Sequence, residues 1–230
     1  MKKINGITKA LAASLGLFAV TAANANLLEI VTSDDSISGY FPLGDVHDVI
    51  DTAGVTGWYN ANLYATSAAQ ITFEYLGTEA AWVNTFIVDN QQVFWNHDYN
   101  GNAATTAGAT ASSSSTSYNL IDFAFATLAG NNAGYGVENG DNNSPFAVNT
   151  NTGFGQSNFF LGYADESGDS IYLAFDDGGG RVWTPNDTAD DNDYDDMVIR
   201  VTATAVPEPA TLGLLGMAGL MLGWRRSRKG

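Results

Sequence analysis

The sequence contains no cysteine, two histidines and only nine lysine or arginine residues among its 230 positions. The lack of cysteine excludes disulfides and thiol nucleophiles, so stability must come from an apolar core or from bound metal. Between residues 26 and 206 the basic residues are Arg181 and Arg200 against 24 acidic ones, a net charge of −22. A surface of this charge repels phosphate backbones and attracts cations, which argues against nucleic acid as a partner.

The amino end has the three parts of a secretory signal peptide. Lys2 and Lys3 give a cationic start, residues 10–22 form an apolar run, and Ala23-Asn24-Ala25 offers small residues for signal peptidase. We expect cleavage after Ala25, so that residues 1–25 are a signal peptide and the protein is exported.

The carboxyl end has a second tripartite pattern. Val206-Pro207-Glu208-Pro209 precedes fifteen largely apolar residues, 210–224. As a helix they would extend about 22 Å, against a hydrocarbon core of about 30 Å, which makes a short transmembrane segment. A basic cluster then follows and would stay in the cytoplasm, leaving the main domain on the outer side of the membrane. That cluster contains Arg225, Arg226 and Arg228.

Residues 206–230 resemble the PEP-CTERM sorting signal of Gram-negative bacteria. The resemblance implies recognition by an exosortase-type transpeptidase, processing near Pro207-Glu208-Pro209, and association with exopolysaccharide or biofilm. It also implies that the protein is anchored in the inner membrane during sorting and then reaches the cell surface or extracellular matrix.

Residues 26–205 are predicted to form one all-β domain, an antiparallel β-sandwich for which a jelly roll is one candidate arrangement. Ile71, Phe73 and Tyr75 alternate with polar residues, as in a strand that buries one face. Further short runs of aromatic and β-branched residues lie between turn-forming clusters. These runs are residues 82–88, 92–95, 120–126, 159–163, 171–175 and 197–202.

Residues 101–119 consist almost entirely of Gly, Ala, Ser, Thr and Asn. They lack the apolar side chains of a core, so we expect a low-complexity surface loop.

A dense acidic region predicts a calcium site, since calcium takes six to eight oxygen ligands and tolerates irregular geometry. Asp196 and Thr202 stand where an EF-hand needs Gly and Glu, so the site is not an EF-hand. A solvated acidic loop without metal is the alternative. The candidate ligands are Asp176, Asp177, Asp191, Asp193, Asp195 and Asp196.

The same region resembles the domain of unknown function family 4114. The features shared are Leu173-Ala174-Phe175-Asp176-Asp177, the glycine turn after it, and residues 191–198. The resemblance extends over residues 70–202 and implies a β-rich, calcium-dependent extracellular module.

Enzyme signatures are absent from the sequence: His47 and His97 lie outside any zinc motif, and no G-x-S-x-G elbow occurs. A secreted glycan hydrolase with a carboxylate pair that includes Glu74, Glu79 or Glu138 is the alternative. Ice binding or adhesion is a third hypothesis.

The large aromatics could pack in the core or form a polysaccharide-binding surface; they are Trp58, Tyr59, Trp82, Trp95 and Trp183. Our prediction is a non-enzymatic surface or matrix protein.

Overall fold

The computed structural model describes residues 26–31, 49, 55, 58–116, 118–142, 156–165, 167–178 and 194–206. Within these ranges the protein is all-β, every strand pair is antiparallel, and no helix occurs. The strands are β1 (Leu28–Val31), β2 (Trp58–Tyr59), β3 (Asn62–Ala65), β4 (Ala69–Gly77), β5 (Val83–Val88), β6 (Gln91–Trp95), β7 (Thr110–Ser115), β8 (Asn119–Leu120), β9 (Phe123–Ala129), β10 (Gly136–Glu138), β11 (Asn158–Tyr163), β12 (Ser170–Asp176) and β13 (Met197–Ala205).

The strands form three sheets. The largest has six strands in the order β2-β11-β12-β13-β4-β7, the second has four in the order β10-β9-β5-β6, and the third has three in the order β1-β3-β8. Each of the predicted apolar runs overlaps an observed strand, which confirms the all-β prediction for the described part of the chain.

The main core lies between the six-stranded and four-stranded sheets. Phe125 of β9 stacks on Phe175 of β12, with ring centroids 4.5 Å apart, and Phe73 of β4 lies 5.3 Å from Phe86 of β5. The three predicted inward residues of β4 are buried, as their period-two spacing indicates: Ile71, Phe73 and Tyr75.

A smaller cluster lies on the opposite face of the six-stranded sheet. Tyr194 packs edge-on against Phe160 at 4.7 Å, and Trp58, Ala174 and Val198 complete the group. The end of β12 and the start of β13 therefore have apolar side chains on both faces of the sheet, and the acidic residues at these strand ends are placed in the interior.

The low-complexity segment departs from its prediction. The expectation of a loop is wrong for residues 110–115, because Thr110–Ser115 form strand β7 at the edge of the six-stranded sheet, in register with β4 from Ala69 to Glu74. Backbone hydrogen bonds to β4 do not depend on apolar side chains. Its small side chains suffice at an edge, where only one neighbour has to be matched.

Candidate functional site

Four of the predicted calcium ligands lie side by side where β12 ends and β13 begins. Phe175 is paired with Met197, so the chain leaves β12 through Asp176 and Asp177 beside the point where it enters β13. The backbone N–H of Asp177 donates a hydrogen bond of 2.7 Å to Asp196 Oδ2. All four carboxylates are at least nine-tenths buried: Asp176, Asp177, Asp195 and Asp196.

Asp177 connects the two main sheets. Its Oδ2 accepts a 2.6 Å hydrogen bond from Asn84 Nδ2 of β5, across the core. Its backbone carbonyl accepts bonds from Asn132 Nδ2 at 2.7 Å and from Ser157 Oγ at 3.1 Å. These side chains come from the four-stranded sheet, from the turn after β9 and from the residue before β11, so Asp177 is the centre of a buried polar cluster.

Asn84 owes its position to an irregularity in β5. The register with β9 shifts between Val83 and Asn84, and three consecutive residues, Asn84, Thr85 and Phe86, are buried. A β-bulge of this kind redirects a side chain and interrupts regular alternation. As a result, the Asn84 amide reaches Asp177, and its Oδ1 is a buried oxygen with no hydrogen-bond partner in the described ranges.

A second path of hydrogen bonds returns from Asp196 to Asn84. The Asp196 carbonyl accepts from Thr78 Oγ1 at 2.6 Å, and Asn96 Nδ2 lies 3.4 Å from the same hydroxyl. The Oδ1 of Asn96 accepts from the Asn84 N–H at 2.7 Å. The carbonyl of Asp195 accepts from the Glu79 N–H at 3.0 Å. The polar cluster is therefore hydrogen-bonded to the ends of β4 and β6 as well as to β5.

The four aspartates do not share one face of the sheet. Asp176 is the last residue of β12, and alternation puts it on the face of Ala174, opposite to Phe175. Its cross-strand neighbour there is Asn158, whose Oδ1 is buried and has no hydrogen-bond partner in the described part of the chain. Asp177 contacts Asn84 on the other side. The structure thus separates two carboxylates that the sequence places next to each other.

The arrangement around Asp177 can offer a hard cation oxygen ligands and little else. Two carboxylates, the amide oxygen of Asn84 and backbone carbonyls are the donors that calcium prefers. Among the described residues, no three Asp, Glu or His side chains form a metal-binding group by themselves. Asp191 and Asp193 lie outside the described residues.

The glutamates and histidines considered as catalytic residues have the following environments. Glu74 Oε2 accepts from Arg200 Nε at 2.9 Å and also from Nη2, so this carboxylate is held in an ion pair. The Nε2 of His97 lies 2.7 Å from the Ala80 carbonyl. Glu79 and Glu138 are exposed, and His47 lies outside the described residues.

The aromatic residues named from the sequence are not exposed where the structure describes them. Trp58 is buried in the smaller cluster, and Tyr59, Trp82 and Trp95 are half-buried. Trp183 is outside the described ranges.

The targeting residues lie largely outside the described part of the chain. Val206 is described: it follows β13, is half exposed, and its N–H donates to the Ala68 carbonyl at 3.2 Å. No described helix has the length and apolar character to cross a bilayer. The other predicted targeting residues lie beyond these ranges: Ala23, Ala25, Pro207, Glu208, Pro209, Arg225, Arg226 and Arg228, with the predicted span at 210–224.

Comparison with known proteins identifies the tail. Residues 205–229 match the PEP-CTERM protein-sorting motif, which confirms the predicted sorting signal. The motif indicates an exported protein that is sorted by an exosortase through a membrane-anchored intermediate. The likeness of residues 70–202 to family 4114 receives no support. No curated protein and no solved structure matches the chain.

Sequence reasoning missed the partners of the aspartates, which are Asn84, Asn132, Ser157 and Thr78. Only Asn84 gives a local signal, because Asn84-Thr85 interrupts an otherwise apolar strand from Val83 to Val88. The others come from turns and loops, where asparagine, serine and threonine are ordinary residues.

Proposed function

We propose that this protein is an exported, calcium-stabilised β-sandwich that acts at the cell surface or in the extracellular matrix, in association with exopolysaccharide or biofilm, without enzymatic activity. The sorting motif supports delivery to the envelope, and the −22 charge of residues 26–206 supports attraction of cations. Under this proposal calcium links the strand ends that meet at Asp177.

The observation that carries the proposal is the buried amide oxygen of Asn84, which lies beside the Asp177 carboxylate and has no hydrogen-bond partner among the described residues. A buried polar atom without a partner costs free energy, so it requires an explanation such as a bound ion. Asp177, Asp196 and Asn84 would hold the ion, with carbonyls and water completing its shell. The ion would neutralise buried carboxylates and bind only the folded chain.

Thermal unfolding of the full chain in detergent tests the calcium site. We compare EDTA, millimolar calcium and millimolar magnesium, the last as a control for general charge screening. Calcium at one hundred times its dissociation constant adds about 2.7 kcal/mol when it binds only the folded state. We expect a calcium-specific rise in Tm, and its loss in Asp177→Asn and Asp196→Asn.

The matched control is Asp141→Asn, which removes the same charge from an exposed position. This variant should keep the full calcium response. Identical melting curves in calcium and EDTA would overturn the calcium site. Arg181→Gln would then examine the one basic residue between Asp177 and Asp196.

The non-enzymatic part of the proposal has its own experiment. Purified neutral and anionic polysaccharides incubated with the full chain should release no reducing ends above a protein-free control. Release that disappears in Glu74→Gln, Glu79→Gln or Glu138→Gln would instead establish a glycan hydrolase with a carboxylate at that position.

A further inference from the structure

The outer face of the three-stranded sheet presents an ordered pair of tyrosine rings. Glu29 of β1 is paired with Tyr64 of β3, which is paired with Leu120 of β8, so the three side chains share one face. The neighbouring β3 residues, Leu63 and Ala65, point the other way and are fully buried in the core. The strand that presents the outer face is therefore anchored in the core by its inner face.

Tyr118 lies on this face immediately before β8. Its ring stacks on Tyr64, with centroids 5.4 Å apart and planes 24° apart. It is also 57% exposed, the largest exposed fraction among the large apolar side chains that the structure describes. An aromatic ring of this kind offers a wide apolar surface to a ligand.

A second contact fixes the ring. The Glu29 carboxylate lies beside the Tyr118 hydroxyl, and its interaction with that hydroxyl raises the pKa of Tyr118. Stacking on Tyr64 and the neighbouring Glu29 carboxylate limit the rotation of the ring before any ligand binds. Binding to such a preorganised side chain loses less conformational entropy than binding to a mobile one.

A polar cleft begins at the next residue, Asn119. Hydroxyls, an amide and two carboxylates line it. Ser113 Oγ donates to Asp89 Oδ2 at 2.8 Å, which orders part of the wall. The polar lining residues are Asp89, Ser113, Ser114, Ser115, Asn119 and Asp122.

We propose that Tyr118, Tyr64 and Glu29 form a platform that binds the pyranose ring of an uncharged polysaccharide. A pyranose has a flat C–H face that packs on an aromatic ring, and hydroxyls at its edge that carboxylates and serines bind. The charges indicate whether the polysaccharide is neutral or anionic, because Glu29, Asp89 and Asp122 would repel uronate or sulfate groups. A neutral sugar chain therefore fits this surface.

This inference takes one premise from the proposed function, which is that the protein lies at the cell surface or in the matrix, where polysaccharide is present. The platform uses none of the residues around Asp177. Its success or failure can therefore be separated from that of the calcium site.

Affinity electrophoresis of the full chain in detergent, with soluble polysaccharide in the gel, tests the platform. The neutral probes are dextran, a linear β-glucan and a galactomannan, and alginate is the anionic comparison. We expect at least one neutral probe to retard the protein and alginate to have no effect. Tyr118→Ala should weaken the association constant at least tenfold, whereas Tyr118→Phe should retain most of it.

The control is Tyr135→Ala, which removes an exposed tyrosine that is 37% accessible and lies outside the platform. Each variant should melt at the wild-type temperature, so that lost binding is not lost folding. If no neutral polysaccharide retards the protein, or if Tyr118→Ala binds like the wild type, the inference is wrong. A dimer that Tyr118→Ala dissociates, with no sugar binding, would assign the surface to a second copy and also overturn it.

Repeating the gels in EDTA distinguishes the two proposals. Binding that persists while calcium has no effect on Tm would overturn only the calcium site. A calcium-dependent Tm without retardation by any neutral probe would overturn only the platform.

Discussion

At the residue scale, the interior of this protein depends on asparagines as well as on apolar side chains. The side chain of Asn139 accepts from the Leu63 N–H at 2.8 Å and donates to the carbonyls of Leu63 and Ile121 at 2.8 and 2.7 Å. Asn139 thereby joins β3 to the segment before β9. Asn139 and Gly140 lie in a turn, and the role of the Asn139 side chain depends on Leu63, which is 76 positions away in the sequence.

Tyr75 gives the protein a predictable response to alkaline pH. Burial raises the pKa of Tyr75 from 10.0 to about 12. Between pH 10 and pH 12 the unfolded chain has therefore lost this proton while the folded chain retains it, so the free energy of unfolding falls as pH rises. We expect Tyr75→Phe to lose part of this decline, measured by urea unfolding at pH 9, 10, 11 and 12.

Tyr135→Phe is the control for this prediction, since that side chain is exposed. It should follow the wild-type pH profile. Equal slopes for the wild type and Tyr75→Phe across this window would show that Tyr75 ionises in the folded state as readily as in the unfolded one.

At the element scale, strands β4 and β7 show what patterning predicts and what it misses. Strand β4 alternates large apolar and polar residues, and its inward face could be named from the sequence. Its neighbour β7 has the sequence TASSSS, in which only Thr110 is a residue type enriched in strands. The partner supplies the ladder of backbone hydrogen bonds, so the strand exists because β4 is beside it.

Strand β7 should respond to a higher intrinsic β-propensity at its exposed positions. Ser112 and Ser114 are exposed, and threonine favours extended backbone more than serine does. We expect the double variant Ser112→Thr/Ser114→Thr to raise the free energy of unfolding by up to about 1 kcal/mol in urea titrations.

Ser67→Thr, in an exposed bend, should leave the free energy of unfolding unchanged and serves as the control. A decrease in the double variant, or a gain of the same size at Ser67, would be inconsistent with a paired edge strand at residues 110–115.

At the scale of the whole molecule, stability depends on the aromatic layer between the two main sheets. Phe125 and Phe175 are nearly parallel, with 4° between their planes, and both are fully buried. They come from different sheets and are 50 positions apart in the sequence. Contacts of this kind hold the sheets together, because each sheet alone would expose its apolar face.

Phe125→Ala should therefore affect the entire domain. Removing a buried phenylalanine costs about 3–5 kcal/mol, a large part of a typical unfolding free energy of about 5–15 kcal/mol. We expect a single unfolding transition in urea that shifts to a much lower midpoint. Val206→Ala, at a half-exposed position, should stay within about 0.5 kcal/mol of the wild type. A loss below about 1 kcal/mol for Phe125→Ala would mean that the two sheets are not joined through this layer.

The sequence by itself determined the sorting signal and the longer apolar strands of this protein. The sorting signal is a short contiguous segment that is recognised by its sequence. Its residues could therefore be identified without knowledge of the fold. The apolar faces of β4 and β9 follow from the two-residue period of extended backbone.

Only the tertiary structure decided how the acidic residues are grouped. Adjacent residues at a strand end point to opposite faces, so Asp177 contacts Asn84 while Asp176 has Asn158 as its neighbour. The Asn84 partnership spans 93 positions and depends on a β-bulge, and the Tyr64–Tyr118 stack depends on the pairing of β3 with β8. These contacts follow from how sheets pair and pack, which no local pattern in the sequence encodes.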